Sequence, residues 1–308
     1  MIFQQKVKAV LGLSLISGTL YAECKPPLKT PRTISSQKEV YQGQPFYPGE
    51  KASYEVHYFG VLVGYGHLEV RNPVKYSNNW LQHFVAHAST GDWYRAIFVA
   101  KDYAMAYSSP QNFAIKKFYI KQDEGKMFGS RFIQEKWLTF NHQNCKVLET
   151  IKKPEKPAKI EKAELNPGAI DALGVIYKIR TLDFEIGKMQ KLLVYSSQKN
   201  WWLEAKPVAI EQIKVPAGEF QAFKLKLQTY IGKELQQKGD VFAWIAKNHP
   251  NRPLVKLTGE IKIGNVVMEL KSFYTPKTEM LIKAPEPVKP DRYLKPEPQI
   301  EGDKQPKN

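Results

Sequence analysis

The chain has 308 residues, a formal net charge of +16 and only two cysteines. Two cysteines are too few for a disulfide scaffold in a chain of this size, and without a C-x-x-C pair we expect no cysteine-ligated metal. Past the N-terminus, no apolar stretch reaches the length of about 18 residues that a membrane-spanning helix needs. A basic excess of this size raises solubility and attracts anions.

The N-terminus is typical of a secretory signal peptide. Lys6 and Lys8 precede a run of roughly a dozen mainly apolar residues, and Ala22 is a small residue at a suitable cleavage position. We expect cleavage near Ala22 and export to the periplasm. Cys24 follows Glu23, and a charged residue there does not fit a lipoprotein signal. The mature protein is therefore predicted to be soluble rather than lipid-anchored.

Composition divides the chain into four segments: a signal peptide at 1–22, an extended lead-in at 23–44, a single β-rich domain at 45–275 and a proline-rich disordered tail at 276–308. The tail contains seven prolines interleaved with Lys and Glu and few apolar residues to bury. Its basic and acidic residues nearly balance, so the positive charge belongs to the folded domain.

The central segment shows the two-residue period of half-buried strands. In Ser53–Tyr58, three apolar residues alternate with three polar ones. The alternation recurs at residues 113–121, 128–135, 191–195, 222–230, 255–263 and 266–273. Short turns between consecutive strands favour antiparallel pairing, so the predicted fold class is mainly β and antiparallel.

One segment predicts a helix instead. Asn166 and Asp171 are suitable helix caps, and helical spacing places Leu173, Ile176, Tyr177 and Arg180 on one face. We expect one short central helix packed on the sheet.

These segments resemble a family of exported bacterial proteins called domain of unknown function 3108. The similar parts are the opening Gly49–Gly60, the central pattern Asp171-x-Leu173-x-x-x-Tyr177-x-x-Arg180 and Val215–Phe220. The resemblance implies an envelope location and a curved or half-barrel sheet. It implies no activity.

Asp171, Tyr177 and Arg180 are the candidate ligand-binding residues, because they are the polar positions of the family pattern. Two interpretations stand: Asp171 caps the helix and Arg180 pairs with a carboxylate of the sheet, or Arg180 holds an anionic head group. An apolar cleft between sheet and helix would suit an acyl chain or a glycan.

The first hairpin holds the residues most suited to metal binding. If its turn centres on Leu62, His57 faces His67 and Glu55 faces Glu69, and four such side chains could bind Zn²⁺ or Cu²⁺. Polar alternation on a solvated strand face explains the same residues. We expect no metal and no cofactor.

No catalytic motif occurs in the sequence, including G-x-S-x-G, H-E-x-x-H and the P-loop. The leading hypothesis is a non-catalytic periplasmic binding protein for an apolar or anionic amphipathic envelope molecule, a lipid or a glycan. The alternatives are a scaffold that engages a protein partner through its tail, and a hydrolase of envelope polymer. Peripheral membrane contact is compatible with the positive charge, whereas export argues against nucleic acid.

Cys24 and Cys145 are the only thiols, and export supplies an oxidant, so we expect them to form a disulfide. The closed loop of about 120 residues would stabilise the fold by at most about 4–5 kcal/mol in the chain-entropy model.

Overall fold

The computed structural model describes residues 32–126, 129–237, 239–260 and 264–276. Over these residues the chain forms fifteen β-strands in one open, antiparallel sheet, one α-helix and two short 3₁₀ turns. This confirms the predicted fold class of an antiparallel sheet with one short central helix. The signal peptide and the proline-rich tail from residue 277 lie outside the described residues, and so does Cys24. Within the described part, no helix has the length and hydropathy to cross a membrane.

The strands are β1 Lys51–Tyr58, β2 Val61–Tyr76, β3 Asn79–Thr90, β4 Val99–Ser108, β5 Ile115–Gly125, β6 Arg131–Asn141, β7 Lys146–Lys152, β8 Lys159–Glu164, β9 Gln190–Ser196, β10 Lys199–Val215, β11 Gly218–Ile231, β12 Glu234–Leu235, β13 Val241–Ala246, β14 Leu254–Glu260 and β15 Asn265–Tyr274. Helix α1 spans Ala172–Arg180, and the 3₁₀ turns span Gln37–Glu39 and Trp93–Ala96.

The sheet consists of two meanders, a first of β1–β8 and a second of β9–β15, joined by the pairing of β1 with β15. Its order is β8-β7-β6-β5-β4-β3-β2-β1-β15-β14-β13-β11-β10-β9, with β12 paired to β11. In the join, Lys51 of β1 lies opposite Tyr274 of β15. The edge strands are therefore β8 and β9, which lie next to each other in sequence on either side of α1.

Side chains connect these two ends of the sheet where no backbone ladder does. Gln198, in the turn between β9 and β10, donates to Glu149 of β7 at 2.6 Å and also to Glu161 of β8. Asn200 donates to the backbone oxygen of Glu164 at 2.8 Å. We call this junction the seam.

The chain between β8 and α1 closes one end of the seam. Leu165 N donates to Cys145 O at 2.9 Å, and Ile170 forms an isolated parallel bridge with Val194 of β9. Residues 165–170 therefore bond both to the first meander and to the second.

Four aromatic side chains in mutual contact form the centre of the core. Tyr177 of α1 lies parallel to Phe84 of β3, with ring centroids 4.0 Å apart, and Phe46 packs edge-on against both rings. Phe113 also lies parallel to Phe84, with ring centroids 6.3 Å apart. All four are buried. The helix is thus held on the sheet by ring contacts as well as by aliphatic packing.

The lead-in differs from the extended segment that the sequence predicts. Its described part, residues 32–44, contains a 3₁₀ turn and buries Ile34, Val40 and Tyr41 in the main core. The Tyr41 hydroxyl donates to Arg71 O and accepts from His83 N, each at 2.9 Å. The three apolar side chains are too few to produce a period, but they cover interior surface that an open sheet leaves exposed.

Cys145 is buried and disulfide-bonded. Because Cys24 lies outside the described residues, the pairing of these two cysteines stays a prediction.

His142 gives the fold a predicted pH dependence. Its Nε2–H donates to Ile115 O at 2.6 Å, and its Nδ1 accepts from Gly168 N at 3.0 Å, so the neutral ring joins residues 165–170 to β5. Burial lowers the pKa of His142 from 6.5 to about 4. This stabilisation is complete above about pH 6.5 and is lost as the pH falls towards 4, by up to about 3 kcal/mol.

We expect His142→Gln, which offers one amide donor and one amide acceptor but cannot titrate, to remove this part of the pH dependence. Denaturant titrations of wild type and variant between pH 4 and 8 measure the difference. Parallel profiles for the two proteins would contradict the assignment.

Candidate functional site

Asp171 begins helix α1 and is buried. Its Oδ1 accepts from the backbone N–H groups of Leu173 and Gly174, each at 2.9 Å, which makes it the N-cap. Burial raises the pKa of the Asp171 carboxyl to about 6, and the backbone hydrogen bonds counteract part of that rise. Its Oδ2 is buried without a hydrogen-bond partner among the described residues. Oδ1 of Asp171 therefore makes both capping hydrogen bonds, whereas its Oδ2 has none to stabilise the ionised carboxylate.

Arg180 ends the helix in a fully buried ion pair. Its two terminal nitrogens bind the two oxygens of Glu50 at 2.7 and 2.9 Å. The backbone oxygens of Asn251 and Pro45 accept further bonds, at 2.6 and 3.3 Å from one terminal nitrogen, and the Asn251 oxygen also accepts from Nε at 3.1 Å. The guanidinium also lies 5.2 Å from the centroid of the Phe46 ring.

The structure thus brings Asp171, Tyr177 and Arg180 together on the helix, each committed to protein contacts. Tyr177 is enclosed by aromatic rings, and burial raises its pKa well above the usual range. Every nitrogen of the Arg180 guanidinium already donates to a protein oxygen. A ligand at Arg180 would have to displace one of these partners, and a ligand-binding role for the three residues stays a prediction.

The opposite face of α1 lines an apolar cavity of about 140 Å³ between the helix and the second meander. The helix contributes four side chains, and strands β10, β11, β13 and β14 form most of the wall. The lining residues are Ala172, Val175, Ile176, Ile179, Trp201, Leu203, Leu227, Thr229, Gln237, Val241, Ala243, Ile245, Leu254 and Leu257.

The polar groups of the lining are engaged with the protein. Gln237 accepts from Thr229 N at 2.9 Å through its Oε1 and donates from Nε2 to Leu227 O at 2.6 Å. The cavity therefore favours an apolar occupant, because a polar one would lose hydrogen bonds to water without replacement. Sequence reasoning did not single out this lining, since aliphatic residues on alternating strands look alike whether they fill a core or line a cleft.

The four candidate metal-binding residues of the first hairpin do not lie together, because the register of the hairpin differs from one centred on Leu62. The turn is Phe59–Gly60 rather than one centred on Leu62, and β1 has a bulge just before the turn, at Val56/His57. Both turn residues have positive φ, 52° and 76°, which suits the twist of a two-residue hairpin. His57 consequently lies opposite Leu62 rather than His67.

The other three candidates have separate partners. His67 shares a hydrogen bond with Ser53, Glu55 pairs with Lys271 at 3.0 Å, and Glu69 binds Arg71 at 3.0 Å. In the described residues, no group of three His, Cys, Asp or Glu side chains is placed to hold a metal ion.

Sequence reasoning missed a pair of carboxyl groups on neighbouring strands. Burial and the adjacent Glu124 carboxyl raise the pKa of Asp102 to about 8. Asp102 also accepts from Asp123 N at 3.1 Å, and Glu124 accepts from Gln122 at 3.3 Å. The pair lies on β4 and β5, away from the cavity.

The chain matches a family model described as "Protein of unknown function (DUF3108)" over residues 53–271. The match covers more than half of the sequence, so the protein belongs to this family, as the resemblance of its motifs indicated. No curated protein has a significantly similar sequence.

Several solved structures are similar to the chain. One is a β-barrel-like protein of domain of unknown function DUF1849 from Brucella abortus, with 9% identity, a TM-score of 0.48 and coverage of 76% of this chain and 100% of that chain. Two others are described as an exported protein with a YmcC-like fold from Bacteroides fragilis and a lipoprotein from Parabacteroides distasonis. Each is 13% identical and covers 75% of this chain and 98% of its own, with TM-scores of 0.30 and 0.32. Likenesses at this level carry no argument about function.

The buried ion pair predicts a large effect of a single substitution. Glu50→Gln keeps the shape of the side chain but leaves the Arg180 charge buried without a counter-charge, and we expect the free energy of unfolding to fall by about 3–5 kcal/mol. The control is Glu204→Gln, which breaks the Lys191–Glu204 pair at 2.7 Å, where the lysine is exposed, and we expect a loss of about 1 kcal/mol or less. Equal losses in denaturant titrations of the two variants would refute this account.

Asp171→Asn tests the buried cap. Because the folded pKa of about 6 lies above the ordinary 3.8, the folded state binds more protons, and the wild-type free energy of unfolding decreases as the pH rises from about 4 through 6. Asparagine caps a helix equally well and stays neutral. We expect the free energy of unfolding of the variant, relative to that of wild type, to rise by about 2–3 kcal/mol between pH 4 and 7. Chemical denaturation at each pH measures this difference. A constant difference across this range would rule out the buried carboxylate as its cause.

Proposed function

We propose that this protein is exported to the cell envelope and binds the end of an acyl chain, or an apolar group of similar size, in the cavity between α1 and the second meander, without catalysis. The observation that carries the proposal is the apolar lining of this cavity. Its polar side chains bond to the protein, and its remaining lining is aliphatic apart from Trp201.

The size of the cavity limits what it holds. A cavity of about 150 Å³ lined by apolar side chains binds benzene, so a volume of about 140 Å³ suits a ring or a stretch of roughly six carbons. A whole lipid tail does not fit inside. The occupant is therefore the end of a longer amphipathic molecule whose head group stays outside, and the positive charge of the domain favours an anionic head group.

Two features support an envelope location. The first 22 residues have the pattern of a signal peptide, and the family resemblance implies exported proteins. The bound molecule would then come from the lipids or amphipathic glycans of that compartment.

Filling the cavity should abolish binding. Ala243 is buried in the cavity wall, and Ala243→Leu places three further carbons in the space that the ligand would occupy. We expect saturable uptake of cis-parinaric acid, a fluorescent fatty acid, by wild type and a reduction of its affinity of at least about tenfold in the variant, equivalent to about 1.4 kcal/mol. Fluorescence titration measures both.

Val208→Leu is the matched control, because it enlarges an exposed aliphatic side chain of β10 outside the cavity, and it should bind as wild type does. Thermal unfolding checks that both variants fold. Native mass spectrometry of protein purified from its own periplasm should reveal a copurified lipid or amphipathic glycan. Absence of any bound molecule together with no saturable uptake would reject the proposal.

A further inference from the structure

One end of the sheet exposes a cluster of large apolar side chains. Phe59 and Val61 lie in and after the β1–β2 turn, and Trp93 and Ile97 lie in and after the 3₁₀ turn that precedes β4. Their exposed fractions are 62% for Phe59, 46% for Val61, 56% for Trp93 and 58% for Ile97. We call these four residues the apolar tip. Side chains of this kind gathered at one point of a surface mark an interaction site more often than a scattered set does.

Hydrogen bonds hold the two parts of the apolar tip together. The Trp93 indole Nε1–H donates to Leu62 O at 3.1 Å, and Gly91 N donates to Val63 O at 3.0 Å. Because Leu62 follows Val61 directly, the 3₁₀ turn is fixed against the hairpin. The tip is therefore one preformed surface rather than two independent loops.

The backbone at Phe59 points to a role for its side chain. Phe59 has φ 52°, in the left-handed region where Asn, Asp or Gly is the usual residue of a two-residue hairpin turn. A phenylalanine there costs conformational energy. Its ring packs edge-on against Tyr58 and lies close to Gly264, yet most of the residue remains exposed. Strain that burial offsets only in part is typical of a functional position.

Two exposed lysines lie near the apolar tip, Lys101 on β4 and Lys126 after β5. β4 and β5 meet here, because Val99 lies opposite Gly125. Arg95 pairs with Asp92, the residue before the same 3₁₀ turn, so these two charges cancel. An apolar surface with lysines beside it suits an anionic bilayer, where aromatic rings lie at the head-group level.

The cavity reaches the same end of the sheet. A single row of paired residues runs from the cavity wall to the β1–β2 hairpin, through Leu227, Val241, Gly259, Val266, Tyr58 and Val61. This part of the cavity wall therefore lies at the same end of the strands as the tip, five strand positions along the sheet.

We propose that the apolar tip is a docking surface for an anionic lipid bilayer, into which Phe59, Trp93 and Ile97 insert to the depth of the head groups. The contact is peripheral and reversible, because four side chains bury far less apolar area than a stable anchor requires. Docking depends on the tip alone and not on an occupied cavity.

Vesicle flotation of the full exported chain tests the proposal, with vesicles of phosphatidylethanolamine and phosphatidylglycerol compared with vesicles of phosphatidylcholine alone. We expect wild type to float with the anionic vesicles, and its binding to weaken as salt rises. Phe59→Asn should weaken binding about tenfold, and Phe59→Asn with Ile97→Ser more than that. The first substitution suits the turn, because asparagine tolerates positive φ, so a loss of binding is not a loss of folding.

Tyr274→Ser is the control, because Tyr274 is equally exposed but lies opposite Lys51 at the other end of the sheet. It should float as wild type does. Ala243→Leu should also float as wild type does, which separates docking from cavity binding. Wild type that binds neither vesicle, a Phe59→Asn/Ile97→Ser variant that floats like wild type, or a self-association that these substitutions abolish while flotation persists would overturn the proposal.

Discussion

The ion pair between Arg180 and Glu50 determines where helix α1 lies. Taking two charges out of water is costly, and the attraction between them compensates only when the geometry is close to ideal and the remaining donors are satisfied. Here the pair is bidentate, and the spare donors of Arg180 bind the backbone of Asn251 and Pro45. The C-terminal turn of the helix is thus held against the residue that precedes β1. The same arginine also binds the loop between β13 and β14 through Asn251, and the cavity lies on the other face of the helix.

Helix α1 is held at both ends and along one face, and its other face lines the cavity. Asp171 caps one end of the helix, Arg180 anchors the other, and Tyr177 stacks in the aromatic core between them. These three are the residues that the sequence makes easiest to recognise, because polar residues at fixed spacing form a pattern. The cavity lining has no such pattern. Motif recognition therefore found the residues that position the site, whereas the residues that form it required coordinates.

Much of the fold follows from periodicity, and the errors have local causes. The two-residue period and the cap at Asp171 predict the antiparallel sheet and its helix. The register of the first hairpin does not follow, because a strained Phe59–Gly60 turn and a bulge at Val56/His57 are details of twist, and each residue of slip exchanges the two faces. The buried lead-in was missed for another reason: Val40 and Tyr41 pack on surface that only an unclosed sheet presents.

The join between β1 and β15 has a consequence for the order of folding. Each meander consists of neighbouring strands and can pair as soon as its own residues are available, but Lys51 meets Tyr274 only when the whole domain has been synthesised. Contacts so distant in sequence form slowly, because the entropy of closing the loop is lost before any pairing energy is gained. A chain that emerges progressively from N- to C-terminus would hold β1 as an unprotected edge until the last strand arrived. Such a topology delays completion of the native sheet until the last strand has been synthesised.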